Sequence, residues 1–157
     1  MKRLRIYLDT SVIGGCFDVE FAEWSNLVIR AVRAGRFRAL LSAVTAAEVE
    51  LAPSRIRELH AELLSGGAEL LHVTAETLEL QESYQRHRVL GPRFRNDMLH
   101  IAVATVARAD VLVSWNFKHI VRFDRIRRFN AVNLDLGYGQ LAIYSPREVI
   151  PDEEALA

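Results

Sequence analysis

The chain has 157 residues, of which 50% are hydrophobic, and its formal net charge is zero. This length fits one domain with a real core, and the composition excludes a disordered or fibrous protein. The longest apolar runs are too short to cross a bilayer and no signal peptide is visible, so we expect no membrane association. Cys16 is the single cysteine, which excludes an intrachain disulfide and a cysteine-rich zinc site and favours the reducing cytoplasm.

Taken in chain order, apolar segments alternate between strand and helix patterns. A first strand over 4–9 ends in the run Asp9-Thr10-Ser11, and apolar residues at helical spacing predict an amphipathic helix over 20–35. The first half of the chain then continues with a strand, two helices, a strand and a helix, predicted over 37–43, 44–51, 54–64, 69–73 and 74–89.

The most deeply buried helix is expected just after Arg95. Residues 98–107 are almost all apolar, which is typical of a helix inside a domain, and Asn96 is its predicted N-cap. Asp97 follows in the first turn, where the helix dipole should keep it ionised. Residues 111–113 read as a core strand, and the polar run 114–119 comes after it.

The last third of the chain has a looser pattern. We predict a partly helical segment, a loop, a short strand and a turn over 120–129, 130–139, 141–144 and 146–149. The alternation of strands and helices predicts a single α/β domain over 1–157 with a mainly parallel sheet, and a disordered tail over 152–157.

Charge is distributed unevenly along this neutral chain. Residues 84–128 contain ten Lys and Arg against three acidic residues, whereas 44–83 contain eight Glu against two Arg. A basic half can present a face that binds a polyanion. The alternative interpretation is that both segments are ordinary solvated helix faces.

Three acidic residues stand where a sheet could bring them together. Asp9 follows the first strand, Glu48 lies in the helix after the second, and Asp97 opens the buried helix. The carboxyl ends of parallel strands share one edge, where the first two can meet and which Asp97 can reach by helix packing. Clustered carboxylates need a cation, and Mg2+ prefers oxygen ligands. Such a site suits phosphodiester hydrolysis.

Each of these residues also has a purely structural interpretation. The run Asp9-Thr10-Ser11 could simply cap a helix, and Thr45 and Glu48 have the spacing of a capping box. His100, on an apolar helix, is expected to be a hydrogen-bonded structural histidine.

Competing chemistries lack their sequence motifs. The chain has neither the P-loop GxxxxGK[ST] nor the dinucleotide-binding GxGxxG, and its histidines form no HExxH pair. Cys16 has no evident partner for nucleophilic catalysis. A second Asp two residues after Asp9, which an aspartyl-phosphate phosphatase would need, is also missing.

Four segments in order resemble the PIN-domain family: YLDTSV, TAAE, NDMLHIAVA and ADVLVSWN. The SWNFKHI run, with Asn133, Gly137-Tyr138 and Ser145-Pro146, is similar to one bacterial and archaeal subgroup. The resemblance implies a three-layer α/β/α nuclease that uses Mg2+ or Mn2+ to cut RNA. Many small members are VapC-type toxins, which are dimeric and inhibited by a cognate antitoxin.

The resemblance assigns roles to individual residues of this chain. Asp9, Glu48 and Asp97 match the family's main acidic positions, and Asn116 stands where a further Asp is common, as a neutral metal ligand. Supporting hydroxyls and RNA-phosphate contacts are expected from Thr10, Ser11, Ser114, Arg93, Arg95, Lys118 and His119.

Two further functions remain open from the sequence. Because Asn116 adds no charge, the chain could be a catalytically weak PIN-fold module that binds RNA or protein. A DNA-directed nuclease would use the same site. A homodimer is expected from the family, with Phe17, Phe21 and Trp24 as exposed candidates for its interface.

Overall fold

The computed structural model describes residues 2–152. Within them, one five-stranded sheet has the order β3-β2-β1-β4-β5, and every neighbouring pair of strands is parallel. The strands are β1 (Leu4–Leu8), β2 (Phe37–Ser42), β3 (Glu69–Leu71), β4 (Val111–Val113) and β5 (Ala142–Tyr144). The predicted parallel α/β sheet is confirmed.

Helices connect and cover these strands. They are α1 (Thr10–Gly15), α2 (Ala22–Arg33), α3 (Ala43–Glu50), α4 (Ser54–Ser65), α5 (Ala75–Arg86), α6 (Arg95–Val106), α7 (Phe123–Asp135) and α8 (Pro146–Val149). None of the helices in the described part of the chain is long and apolar enough to span a membrane. Of the tail predicted to be disordered, only Asp152 belongs to the described residues.

The two faces of the sheet bury different sets of side chains. Tyr7 and Leu40 point to the face that packs against α5, α6 and α7. Their neighbours Ile6, Leu8 and Leu41 point to the opposite face, against α1, α2 and α4. This alternation is the two-residue period of a strand covered on both sides. It produces the three-layer α/β/α arrangement that the family resemblance implied.

The start of α6 differs from the sequence-based prediction. A 3-10 turn over Pro92–Phe94 runs directly into the helix, and Phe94 occupies the N-cap position. Asn96 therefore lies within the first turn, and its predicted capping role is wrong. Asp97 stays in the first turn of α6, as expected.

Helix α7 is longer than predicted. It continues to Asp135, so the loop expected over 130–139 is wrong for its first half. Asn133 is fully buried, where it accepts a hydrogen bond from the Tyr84 hydroxyl and donates one to Thr105 at 3.3 Å. These tertiary hydrogen bonds stabilise asparagine inside a helix, against its weak helix propensity.

The strand order creates a crevice between β1 and β4. From central β1 the chain moves outward through β2 and β3, and later continues on the other side through β4 and β5. Ligand sites in open α/β sheets lie at the carboxyl ends of strands where the order reverses in this way. Leu8 is in register with Val113, so the next residues, Asp9 and Ser114, lie side by side at this edge.

Candidate active site

Asp9 is a buried carboxylate, only 4% exposed, at the carboxyl end of β1. Its two oxygens accept hydrogen bonds from the Ser11 hydroxyl at 2.6 Å and the Ser114 hydroxyl at 2.5 Å. Burial raises the pKa of Asp9, while His100 and the two hydroxyls oppose this. Since its side chain makes no cap hydrogen bond to α1, simple helix capping does not explain Asp9.

The same two serines anchor the loop that follows β4. The Ser11 hydroxyl oxygen accepts the backbone N–H of Trp115, and that of Ser114 accepts the N–H of Asn116, both at 2.9 Å. Each serine therefore donates to Asp9 and accepts from the loop. The carboxylate and the loop are held in one fixed arrangement.

Glu48 is held by a chain of hydrogen bonds that begins at Ser42, the last residue of β2. Ser42 contacts the Tyr7 hydroxyl at 2.6 Å, Tyr7 contacts His100 Nδ1 at 2.6 Å, and His100 Nε2 contacts Glu48 Oε1 at 2.6 Å. Thr10 also donates to Glu48, at 3.1 Å. With its hydrogen on Nε2, His100 can accept from Tyr7 and donate to Glu48 at once.

The predicted Thr45–Glu48 capping box is wrong. Ser42 is the N-cap of α3, and its hydroxyl accepts the backbone N–H of Thr45. The Glu48 side chain is thereby free to reach His100. Burial raises the pKa of Glu48, but the hydrogen bonds from His100 and Thr10 outweigh it and leave the pKa below the ordinary value. His100 is hydrogen-bonded, as predicted, and one of its bonds goes to a candidate site residue.

Asp97 reaches the same edge from the first turn of α6. Burial raises its pKa, His100 and His119 lower it, Glu48 raises it, and a hydrogen bond with the Asn116 side chain lowers it. The net direction is upward, opposite to the effect expected from the helix start. Asp97 therefore shares one electrostatic environment with Glu48 and lies against the loop after β4.

The four basic residues predicted to contact RNA differ in exposure and in the partners that they contact. Arg93 and Lys118 are exposed. His119 is half-buried, and its ring packs on Phe94 with 4.0 Å between centroids. The guanidinium of Arg95 is directed to Gln81 on α5, at 3.3 Å. Of the basic set, Lys118 and His119 belong to the loop that contacts Asp97, whereas Arg95 turns toward a neighbouring helix.

Asn116 uses its side-chain oxygen within its own loop. Asn116 Oδ1 accepts the backbone N–H groups of Lys118 at 3.2 Å and His119 at 3.0 Å. In this arrangement the oxygen predicted as a metal ligand closes a turn.

The donor set matches a hard divalent cation in chemistry, because Asp9, Glu48 and Asp97 offer carboxylate oxygens. Burial raises the pKa of Asp9 and of Asp97, and a bound cation would oppose this by favouring the ionised carboxylates. Among residues 2–152, however, no three His, Cys, Asp or Glu side chains stand in metal-binding geometry. The residues therefore fit such an ion by type and charge.

Sequence reasoning missed Gly15, which lies where α1 meets the loop after β4. The indole N–H of Trp115 donates to the buried Ser25 hydroxyl at 2.7 Å. A methyl group added at Gly15 would come within 2.5 Å of Ser25 Oγ and 2.8 Å of Trp115 Nε1. Only glycine allows this approach, and nothing local in the sequence indicates it.

We expect Gly15→Ala to destabilise the protein by about 1–3 kcal/mol, the usual range for overpacking, and to displace Trp115. Urea unfolding followed by tryptophan fluorescence measures both effects. Gly14→Ala is a matched control in the same helix, because a methyl group there meets only Ile56 at 3.8 Å. Equal stability of the two variants would contradict this prediction and show that Trp115 can shift at little energetic cost.

The side chains proposed for a dimer interface are less exposed than expected. Phe17, Phe21 and Trp24 are all half-buried. Phe21 stacks on Trp115 with 4.4 Å between ring centroids. Phe21 therefore packs against the loop that follows β4.

Comparisons with known proteins identify the fold. No family model matches the chain, and a search of curated proteins also finds no match. Among solved structures, a chain of VapBC2 from Rickettsia felis bound to a promoter DNA fragment matches with a TM-score of 0.58 and 15% identity, covering 90% of this chain and 98% of that chain. The chain has the PIN-domain fold.

Two other structures support the same assignment. FitAcB from Neisseria gonorrhoeae matches with a TM-score of 0.57 and 17% identity, covering 92% of this chain and 99% of that chain. VapC20 from Mycobacterium tuberculosis, a toxin that cleaves the sarcin–ricin loop, matches with a TM-score of 0.50 and 16% identity, covering 87% and 98%. At such identities the likeness establishes the PIN-domain fold, and the activity has to be argued from the site.

Proposed function

We propose that the chain is a metal-dependent endoribonuclease that hydrolyses RNA phosphodiester bonds, and the toxin of a VapBC-type toxin–antitoxin pair. The observation that carries this proposal is the convergence of Asp9, Glu48 and Asp97 on the crevice of a PIN-domain sheet. Thr10, which directly follows Asp9, and His100, which lies one turn after Asp97 on α6, both hydrogen-bond to Glu48 and support it. The likeness to a toxin that cleaves the sarcin–ricin loop favours RNA as the substrate.

The carboxylates would share one cofactor, Mg2+ or Mn2+. When bound, such an ion supplies an acidified water and neutralises charge on the attacked phosphate. Asp9 and Glu48 are oriented by their hydroxyl and imidazole partners, which suits them to present oxygen ligands. Asp97 would complete the set, and the exposed Arg93 and Lys118 would bind RNA phosphates.

The partners follow from the same likeness. One structure of similar fold is a toxin–antitoxin complex from Klebsiella pneumoniae, so we propose that a cognate antitoxin inhibits this chain. We also propose a homodimer that acts in the cytoplasm, where the buried Cys16 thiol would stay reduced.

Asp97→Asn tests the proposal. We expect Mn2+ affinity, measured by titration calorimetry, to fall at least about tenfold, because one of the charged ligands is lost. Cleavage of RNA by the same samples should slow about a hundredfold. Asp124→Asn is the matched control, because Asp124 is an exposed carboxylate paired with Arg122 at 2.8 Å on α7. Equal metal binding and cleavage in wild type and Asp97→Asn would contradict the nuclease assignment.

The second candidate is an RNA-binding module with little catalysis. It is favoured by the engagement of Asn116 Oδ1 within its own turn and by the absence of metal-binding geometry among residues 2–152. The two functions separate cleanly in the same experiment. A binding module would retard RNA in a gel with Mn2+ present and leave it intact, and Asn116→Asp would restore cleavage. Cleavage of a DNA strand in place of RNA would identify a DNA-directed nuclease.

A further inference from the structure

An aromatic side chain stands exposed directly beside the candidate site. Phe117 is 50% exposed, whereas Trp115, two residues earlier, is only 7% exposed. Phe117 immediately follows Asn116, whose backbone N–H donates to the Ser114 hydroxyl, which in turn donates to Asp9. The exposed ring therefore lies one residue after a hydrogen-bonded link to the Asp9 carboxylate.

The loop that presents Phe117 is tightly hydrogen-bonded, so the position of the ring is defined although it is exposed. Asn116 Oδ1 accepts the N–H groups of Lys118 and His119, and the Asn116 carbonyl accepts the N–H of Ile120 at 3.1 Å. The N–H of Phe117 itself bonds to the loop carbonyl two residues before it, at 2.9 Å. A fixed, exposed aromatic ring loses little conformational entropy when a ligand packs on it.

The Phe117 ring packs against Trp115 and is otherwise open to solvent. Phe117 meets Trp115 edge-on, with 6.1 Å between centroids and planes inclined at 68°. Trp115 in turn stacks on Phe21 and is anchored to Ser25. An edge contact covers at most one face of a ring, so another face of Phe117 is available for stacking.

Exposed positive charge lies next to this ring in the chain. Lys118 follows it in the same exposed loop, and exposed Arg93 lies 5.2 Å from the Phe94 ring, which packs on His119. A ligand that fits an open aromatic face beside exposed cations is itself both flat and anionic, which describes a nucleotide in a single strand. Bases inside a duplex are already stacked and cannot use this face.

We propose that Phe117 stacks on an unpaired base next to the cleaved phosphate and so positions the bound strand. This inference rests on the proposed ribonuclease function and adds a substrate-binding residue. Phe117 would act by binding, because its ring carries no group that could enter the chemistry.

The test measures RNA binding without cleavage, in an Asp9→Asn background with Mn2+ present. The probes are a fluorescent 12-nucleotide oligoadenylate and an abasic strand of equal length. We expect Phe117→Ala to weaken oligoadenylate binding by at least about fivefold, the lower end for losing one stacked base, and to leave abasic binding unchanged. Phe117→Trp should preserve the affinity, because it keeps an aromatic face.

Phe123→Ala is the matched control, since Phe123 is likewise an exposed phenylalanine beside a cation. It is 75% exposed on α7 and its ring contacts Arg127. Unchanged oligoadenylate affinity in Phe117→Ala would overturn the inference, as would an equal loss on the abasic strand. A change in oligomeric state alone would assign Phe117 to a contact between protein copies and would also overturn it.

Failure of this inference can be told apart from failure of the ribonuclease proposal. If the wild type cuts RNA and Phe117→Ala binds oligoadenylate normally, only the stacking role is wrong. If the wild type cuts no RNA with Mn2+, the ribonuclease proposal fails. If the wild type cuts RNA but the Asp9→Asn protein binds neither strand, only the stacking inference is contradicted.

Discussion

Replacing Asp9 by asparagine should reduce RNA cleavage by about three orders of magnitude, which corresponds to about 4 kcal/mol of lost transition-state stabilisation. The fold should persist, because asparagine matches the shape of aspartate and both serine hydroxyls can rotate to bond to an amide. Single-turnover cleavage with Mn2+ measures the loss. Asp135→Asn, which changes an exposed carboxylate on α7, is the control and should retain full activity.

The same substitution should increase stability at neutral pH in metal-free buffer. Burial raises the folded-state pKa of Asp9 above the ordinary 3.8, so the stability that this group contributes is complete below pH 3.8. That contribution is lost as the pH rises through the raised pKa, whereas asparagine does not titrate. The stability advantage of Asp9→Asn should therefore grow with pH over this window, and Mn2+ should reverse it by stabilising the wild type.

Urea unfolding at several pH values tests the second half of this prediction. A variant that is less stable than the wild type at every pH would show that the serine hydroxyls more than compensate the buried charge. Full cleavage activity in Asp9→Asn would remove Asp9 from the site altogether.

Replacing His100 by alanine should have the largest effect on stability, about 3 kcal/mol. The change leaves a cavity in the core and removes the partner of both the Tyr7 hydroxyl and Glu48. His100→Gln should lose less, because its amide can still donate to Glu48. Urea unfolding at pH 7 gives these values, and His87→Ala, an exposed histidine at the end of α5, should change stability little.

The contribution of Glu48 to this network depends on pH in the opposite sense to that of Asp9. The folded-state pKa of Glu48 lies below the ordinary 4.5, so its contribution is present above pH 4.5 and disappears as the pH falls through the lowered pKa. The difference in the free energy of unfolding between wild type and His100→Gln should decrease over that acid range. A gap that stays constant would indicate that His100 acts by packing alone.

Most of the fold could be predicted because its signals are local. The strand β1 alternates between the two cores residue by residue, and α6 is apolar on nearly every side, and both patterns are readable in a short window. Predictions failed where a distant side chain decided a local structure. Asn133 favours a loop by propensity, yet Tyr84 and Thr105 hold it inside α7.

The candidate site divides in the same way. Asp9, Glu48 and Asp97 could be selected from the sequence, because each stands at a recognisable strand or helix boundary. The hydroxyls of Thr10, Ser11 and Ser114 could be named only from the family resemblance, since Ser114 is 105 residues from Asp9. The bond from His100 to Glu48 could not be predicted, because the two residues are 52 positions apart. Capping rules see only neighbours in sequence, and for this reason they predicted a cap at Glu48.

The sequence by itself determined the order of strands and helices, the buried character of α6 and the identity of the three acidic residues, because periodicity and residue type are properties of short segments. Only the tertiary structure decided which way each carboxylate turns, that Gly15 must remain glycine, and that Phe117 stays exposed while Trp115 is buried. These depend on the register of β1 with β4 and on the packing of α6, which bring together residues that are far apart in the chain.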